Sequence, residues 1–203
     1  MILRKIAKIY SFVLHPFLIP IYVMAALLFC PTVYSYYPIK GKLYLMWIVT
    51  LFSLILPVFT IALVKRISRL YFRHFTRKQF YVMSIMICSI CYLLCAITFM
   101  DVPSLLIFRK MIVAALMCEL FCLVTIPFVR ISLHLTALGT AIGIFSMLKI
   151  VGETALFWVL IGSILSAGLL SSARLYTGRN RPRHLLIGFV AGIFIAFMTM
   201  LFI

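Results

Sequence analysis

The chain has 203 residues, 66% of them hydrophobic, and its mean hydropathy of +1.25 excludes a water-soluble globular domain. Only three carboxylates stand against 19 lysines and arginines, which gives a formal net charge of +16. In a soluble protein this positive charge would indicate binding to nucleic acid, but here the basic residues lie between apolar segments. We therefore expect an integral membrane protein whose anionic partners belong to the membrane, such as lipid headgroups, and no nucleic-acid partner.

Seven apolar segments follow one another along the chain, each close to the roughly 20 residues that cross a bilayer. They lie near residues 10–30, 43–64, 79–100, 107–128, 132–150, 154–173 and 184–203. The first has no small-residue cleavage site, so we expect a retained span there and not a signal peptide. Because backbone in lipid must satisfy its own hydrogen bonds, the fold class is all-α. We expect one domain over 1–203, a compact bundle of about six to seven transmembrane helices.

Seven crossings would place the N-terminus on the same side as the connections 65–78, 129–131 and 174–183. Most of the basic residues lie on that side, which we call the basic face. The positive-inside rule then predicts a cytoplasmic N-terminus and cytoplasmic basic loops, in a bacterial inner membrane. If the arginines of these connections bind phosphate instead, the asymmetry disappears and the orientation loses its support.

Two of the apolar segments carry small residues four positions apart. The pairs are Gly139 with Gly143 and Gly188 with Gly192. Such steps allow helix backbones to approach closely in lipid, so they predict tight packing between helices.

Six cysteines lie almost entirely inside the apolar segments, three of them in "CSICYLLC" (88–95). No second metal-type pair or histidine follows at a suitable spacing. We interpret the cysteines as small apolar residues and predict no metal site and no cofactor.

Three connections deliver basic residues to the basic face, and two of them also bring a histidine at the first turn of an apolar helix. Their sequences are "RISRLYFRHFTRKQFY" (66–81), "VRISLHLTALG" (129–139) and "SARLYTGRNRPRH" (172–184). His134 and His184 fall in the first turns of the predicted helices, where the helix N-terminus adds a partial positive charge. Arginine forks match phosphate oxygens. The pattern indicates a site for an anionic headgroup; the alternative is that these residues only set the topology.

The same residues resemble the three motifs of the type 2 phosphatidic acid phosphatase superfamily, K-x6-R-P, P-S-G-H and S-R-x5-H-x3-D. The third motif lies over "ARLYTGRNRPRHLLIGFVAG" and places its arginine on Arg174, its nucleophilic histidine on Asn180 and its aspartate on His184. The second lies over "ISLH" and retains Ser132 and His134. The opening "HPFLIPIY" (15–22) also resembles small members from Bacteroidetes-type bacteria.

The first motif retains only two basic residues, Arg77 and Lys78. The resemblance implies a lipid-phosphatase-like bundle in which all three motifs meet at one membrane face. It implies two sets of site residues. The candidate catalytic residues are His134 and His184, and the candidate phosphate-binding residues are Arg77, Lys78, Arg130, Ser132, Arg174 and Asn180.

The mechanism that the resemblance implies is covalent, through a phosphohistidine. Asn180 cannot be the nucleophile, because resonance occupies the lone pair of an amide nitrogen. His184, one turn further, would need an acceptor to hold its tautomer, usually a carboxylate. Asp101 and Glu153 fall on the opposite side and Glu119 within a span, although a backbone carbonyl could replace them. We therefore expect a catalytically degenerate relative that binds a phosphate-bearing lipid or polyprenyl headgroup, or serves as an accessory subunit.

Two other functions stay open. One is an active lipid phosphate or polyprenyl diphosphate phosphatase that uses His184 or His134 unconventionally. The other is a structural subunit of a larger membrane complex, in which the basic face docks an acidic membrane-protein partner.

Glu119 is the only carboxylate deep within a predicted span, where such groups are costly. It could be a proton or cation site, the partner of an arginine, or a protonated acid hydrogen bonded between helices. His15, in "LHPFLIP", is interpreted as a packed or interfacial residue that bonds backbone near Pro16 and Pro20.

Overall fold

The structure is a computed structural model, and it describes residues 9–71, 77–100, 102–129, 131–177 and 182–202. Throughout these ranges the regular structure is helical, without strands. The longer helices are α1 (Ile19–Phe29), α2 (Ile39–Thr50), α3 (Leu56–Tyr71), α4 (Arg77–Thr98), α5 (Leu106–Thr125), α6 (Leu133–Val151), α7 (Phe157–Tyr176) and α8 (Pro182–Phe202). A π-helical turn, Leu51–Ile55, makes α2 and α3 one continuous segment.

Five helical segments are long and apolar enough to cross a membrane. They are Ile39–Ile67, Gln79–Thr98, Leu133–Val151, Thr154–Tyr176 and Pro182–Phe202. The all-α fold class is confirmed for the described ranges, and these segments indicate an integral membrane protein. The other two predicted spans contain helices but differ from the five in length or in charge.

The predicted span near 10–30 is not continuous. Residues 9–13 are helical, residues 14–18 form turns, and α1 begins only at Ile19. Pro16 and Pro20 explain the break, because proline has no N–H to donate and its ring clashes with the preceding turn of a helix. With 11 residues, α1 is about 16 Å long, which is too short to cross a bilayer by itself.

The predicted span near 107–128 corresponds to α5, a helix of 20 residues. Its length is sufficient, but it carries Arg109, Lys110 and Glu119. The Lys110 ammonium donates a hydrogen bond to the carbonyl oxygen of Met200 at 3.3 Å, near the end of α8. This hydrogen bond gives one of the three charged side chains of α5 a polar partner within the bundle.

Helix α6 occupies the centre of the bundle. Over its apolar window 61% of the residues are buried, against 17% for the segments Ile39–Ile67 and Thr154–Tyr176. The central helix therefore contacts its neighbours on most sides, whereas the other two segments lie at the periphery. Gly152 caps the end of α6, directly after Val151. Its φ of 116° lies in the left-handed region, which glycine adopts without the steric cost that a side chain would add.

Helices α6 and α8 are in backbone contact through their glycines. A Cβ added at Gly143 would lie 2.5 Å from the carbonyl oxygen of Ile193, and one at Gly192 would meet the carbonyl oxygen of Thr136 even more closely. The predicted tight packing at these glycines is confirmed. Gly139 faces Phe189, and Gly143, four residues later in α6, faces Ile193, four residues later in α8. The two helices therefore run parallel. Both helices thus begin at the same end of the bundle.

We predict that Gly192→Ala lowers the thermal stability of the purified protein. The new methyl group meets main-chain atoms, which cannot move away as a side chain can, so α6 and α8 must separate. Overpacking of this kind costs about 1–3 kcal/mol, and the measurement is the unfolding temperature in detergent or nanodiscs.

Gly168→Ala is the matched control, because nothing lies within 4 Å of a Cβ added at this glycine of α7. Its alanine should leave the unfolding temperature unchanged or raise it slightly through helix propensity. Equal effects of the two substitutions would contradict the packing described for α6 and α8.

Candidate functional site

A hydrogen bond connects the end of α7 to the start of α6. Arg174, in the last turn of α7, donates from Nη1 to Oγ of Ser132 at 2.8 Å. Both side chains are buried, with exposed fractions of 8% and 2%. Two predicted phosphate-binding residues, 42 positions apart, therefore meet inside the protein.

Ser132 stands where a helix-capping residue normally stands, but its hydroxyl does not cap α6. Its backbone is extended, and its carbonyl oxygen accepts the N–H groups of Leu135 and Thr136, each at 3.0 Å. The hydroxyl oxygen is used for Arg174 instead. The local structure thus turns a capping serine into a ligand for a guanidinium group.

Two histidines lie together near the same helix start. The rings of His15 and His134 have centroids 5.3 Å apart and an interplanar angle of 74°. In the turn before α1, Nδ1 of His15 accepts the backbone N–H of Phe17 at 3.4 Å. Burial, and after it the positive charge of Arg174, lower the pKa of His15 below its ordinary value. Its imidazole is therefore neutral at neutral pH.

Sequence reasoning did not include His15 among the site residues. It expected an interfacial residue that bonds nearby backbone, and the bond to Phe17 is of that kind. The contact with His134 was missed. The available signal was the pair "HP" between two apolar runs, which breaks a helix and leaves a polar side chain at the break.

A cavity of about 330 Å³ extends from the two histidines into the bundle. Its wall contains residues of α1, α3, α4, α5 and α6 and is mostly apolar. This volume is at the lower end of the range of ligand pockets, roughly 300–1,000 Å³. At one end the wall carries His15 and His134, and farther along it carries Glu119.

The carboxyl group of Glu119 contacts a neighbouring helix. Its Oε2 accepts a hydrogen bond from Oγ of Ser89, on α4, at 3.5 Å. The side chain is partly exposed to the cavity. The carboxylate of Glu153 is elsewhere: it accepts the backbone N–H of Val33 at 3.2 Å, beyond the far end of α6. Since α6 has 19 residues, Glu153 lies about 28 Å from Ser132.

The remaining predicted site residues are only partly described. Arg130 and Asn180 lie outside the described residues, as does Asp101. Helix α4 begins at Arg77, but the side chains of Arg77 and Lys78 lie outside the described part of the chain. These residues accordingly stay predictions.

His184 is described and half-buried in the first turn of α8. The described residues that line the cavity include His15 and His134 but not His184. The ring that His134 contacts in the structure is that of His15, and the assignment of His184 as a catalytic candidate stays a prediction.

The cysteines are free thiols, and five of the six are buried. Cys118 donates to the carbonyl oxygen of Gly192 at 3.8 Å, and Cys122 donates to Oγ1 of Thr136 at 3.7 Å. Within the described residues, no group of three or more His, Cys, Asp or Glu is placed to hold a metal ion. The thiols serve as small packing residues between helices.

No protein family model, curated protein or solved structure matches this chain. The chemistry of the site follows from its groups alone. A guanidinium with a hydroxyl can bind an anion, and a neutral imidazole can accept a proton or act as a nucleophile. The adjoining cavity can receive an apolar group.

We predict that Ser132→Ala destabilises the protein. The substitution removes an acceptor of a buried guanidinium, and a hydrogen bond to a charged group contributes about 1.5–3 kcal/mol. The free energy of unfolding, measured by denaturation in detergent, is the test. Ser172→Ala is the control, because the hydroxyl of this exposed serine donates to the carbonyl oxygen of Gly168 within its own helix. Equal stability of the two variants would contradict a structural role for the Arg174–Ser132 bond.

Proposed function

We propose that this chain is a catalytically degenerate protein of the lipid-phosphatase-like fold that binds the phosphate group of a membrane lipid at its basic face. The observation that carries the proposal is the buried Arg174–Ser132 pair, whose guanidinium is close enough to His15 to act on it electrostatically, while His15 and His134 line one end of an apolar cavity. A phosphate is the anion that such a set of donors suits best.

The cavity supports a lipid as the source of that phosphate. Its apolar wall extends inward from the histidines, so a bound phosphate would have hydrocarbon-lined space directly beside it. Lipid phosphates combine these two properties in one molecule. A soluble phosphate ester would leave this apolar surface without a partner.

The sequence lacks the nucleophile that catalysis in such a fold would need. The resemblance places the nucleophilic histidine at Asn180, whose amide cannot attack phosphorus. The carboxylate of Glu153, at the far end of α6, is too distant to orient a histidine near Ser132. Binding groups without the nucleophile favour a protein that holds the headgroup and does not cleave it.

The membrane arrangement is part of the proposal. We place the chain in a bacterial inner membrane with about six to seven crossings, so that α5 crosses as a sixth helix in spite of its charges. The basic loops are then cytoplasmic, as the positive-inside rule predicts. The parallel course of α6 and α8 supports placing the connections that precede these helices at one end.

The test is equilibrium binding of phosphatidic acid, compared with diacylglycerol, to the protein in nanodiscs of neutral lipid. We expect a preference for phosphatidic acid that Arg174→Ala reduces by about tenfold to a hundredfold, since a charge-assisted hydrogen bond contributes about 1.5–3 kcal/mol. Arg174→Lys should retain part of the affinity, because it keeps the charge but loses the fork.

Arg183→Ala is the control for charge alone, since Arg183 is an exposed arginine at the start of α8. It should change the affinity little. Equal binding of phosphatidic acid and diacylglycerol, or unchanged affinity in a folded Arg174→Ala variant, would overturn the proposal.

One observation favours a second function, an active lipid phosphate phosphatase. His15 and His134 lie together at the cavity, and the neutral imidazole of His15 is a competent nucleophile. In this mechanism Nδ1 of His15, which carries the lone pair of the neutral ring, gives up the N–H of Phe17 and bonds to phosphorus as the P–O bond to the lipid breaks. Protonated His134 gives its proton to the leaving oxygen, and water then releases phosphate.

Phosphate release separates the two functions. The substrates are phosphatidic acid, phosphatidylglycerol phosphate and undecaprenyl diphosphate, and the degenerate protein should release no phosphate from any of them. Release that falls at least about a hundredfold in both His15→Ala and His134→Ala, but not in Arg183→Ala, would establish the second function and reject the first.

A further inference from the structure

Glu119 has a definite depth along the cavity. Helix α5 ends at Thr125 and α6 begins at Leu133, only eight positions later, so these two helix ends lie at the same end of the bundle. The contact between Cys122 and Thr136, each about one turn from its helix end, places the two helices at the same level. Glu119 lies six residues before Thr125, so it is about 9 Å inward from that end.

The polarity of the wall changes on either side of this level. His15 and His134 lie at the helix start. Inward of Glu119 the wall contains Met111 and Ala115, on the same helix, and Met111 lies about 12 Å deeper. Among the described lining residues, Glu119 is the only carboxyl group. The cavity thus has an end lined by two histidines, one acid part of the way down, and a mostly apolar interior.

A carboxyl group in this position affects which occupant can bind. The described residues give it one hydrogen bond, from Ser89 at 3.5 Å, which is at the long limit for such a bond. An occupant that is hydrocarbon at this level would remove water from the carboxyl without replacing the lost hydrogen bonds. An occupant with an ester, hydroxyl or amide group there would restore one. Sites of this kind reject the analogue that lacks the polar group.

We propose that Glu119 selects phosphate lipids that carry a hydrogen-bonding backbone a few bonds below the phosphate, as the glycerol esters of phosphatidic acid do, over polyprenyl phosphates. The inference rests on the proposed function, because it takes the phosphate to lie at Arg174 and Ser132. The hydrocarbon chain of the lipid then occupies the apolar interior beyond Glu119. Glu119 is a specificity residue, without a part in any chemical step.

The experiment compares the affinities of dioctanoyl phosphatidic acid and farnesyl phosphate for the 203-residue chain in nanodiscs, each against its phosphate-free alcohol. We expect the wild type to bind the phosphatidic acid about tenfold more tightly than farnesyl phosphate. Glu119→Leu should abolish this preference, and Glu119→Gln should keep part of it, because an amide still forms hydrogen bonds. Glu153→Gln is the control, since that carboxylate bonds Val33 at the other end of α6.

The outcomes separate the inference from the function on which it rests. If both phosphates bind better than their alcohols but equally well, and Glu119→Leu changes neither affinity, the inference is overturned and the proposed function stands. If neither phosphate binds better than its alcohol, the proposed function fails, and the inference fails with it.

A photoreactive group near the end of the phosphatidic acid chain gives a readout that does not depend on Glu119. Cross-links to Met111 or Ile144, deep in the cavity, are expected. Cross-links confined to exposed residues of the peripheral α7, such as Leu165 and Leu169, would overturn occupancy of the cavity.

Discussion

The backbone contact between α6 and α8 is the constraint on which the rest of the structure depends. In lipid the hydrophobic effect does not drive helices together, so their association relies on close packing and hydrogen bonds. The glycines permit that packing, and the carbonyl oxygens of Thr136 and Ile193 occupy the space that side chains would need. Because the two helices are parallel, the connection before α6 and the connection before α8 belong to the same end of the bundle.

The position of Arg174 follows from this arrangement. Helix α7 follows α6 and precedes α8 in the chain, so it runs antiparallel to both. Its last turn therefore lies at the same end of the bundle as the start of α6. There the guanidinium is buried and donates to Ser132. A buried guanidinium is costly unless its donors are satisfied. A guanidinium kept at this position is a fixed cationic group close to His15, one of the two histidines that line the cavity.

His15 shows how a local break can complete a distant site. Pro16 and Pro20 prevent a continuous first helix, and the turn that results holds the imidazole against His134 from a different part of the chain. The same break makes α1 too short to cross a bilayer by itself. Glu119, on α5, is a second polar side chain on the same cavity, and it accepts a hydrogen bond from Ser89 of the neighbouring helix α4.

The sequence by itself determined the helical class, the approximate positions of the helices and the glycine contact, because length, apolar composition and residue spacing act locally. It also singled out Ser132, His134 and Arg174 as candidate site residues. Only the tertiary structure decided that Arg174 bonds Ser132, that His15 joins His134, and that Glu119 lines the same cavity. These pairs are far apart in the sequence, and no spacing along one helix encodes which faces of different helices meet. That choice depends on how the whole bundle packs.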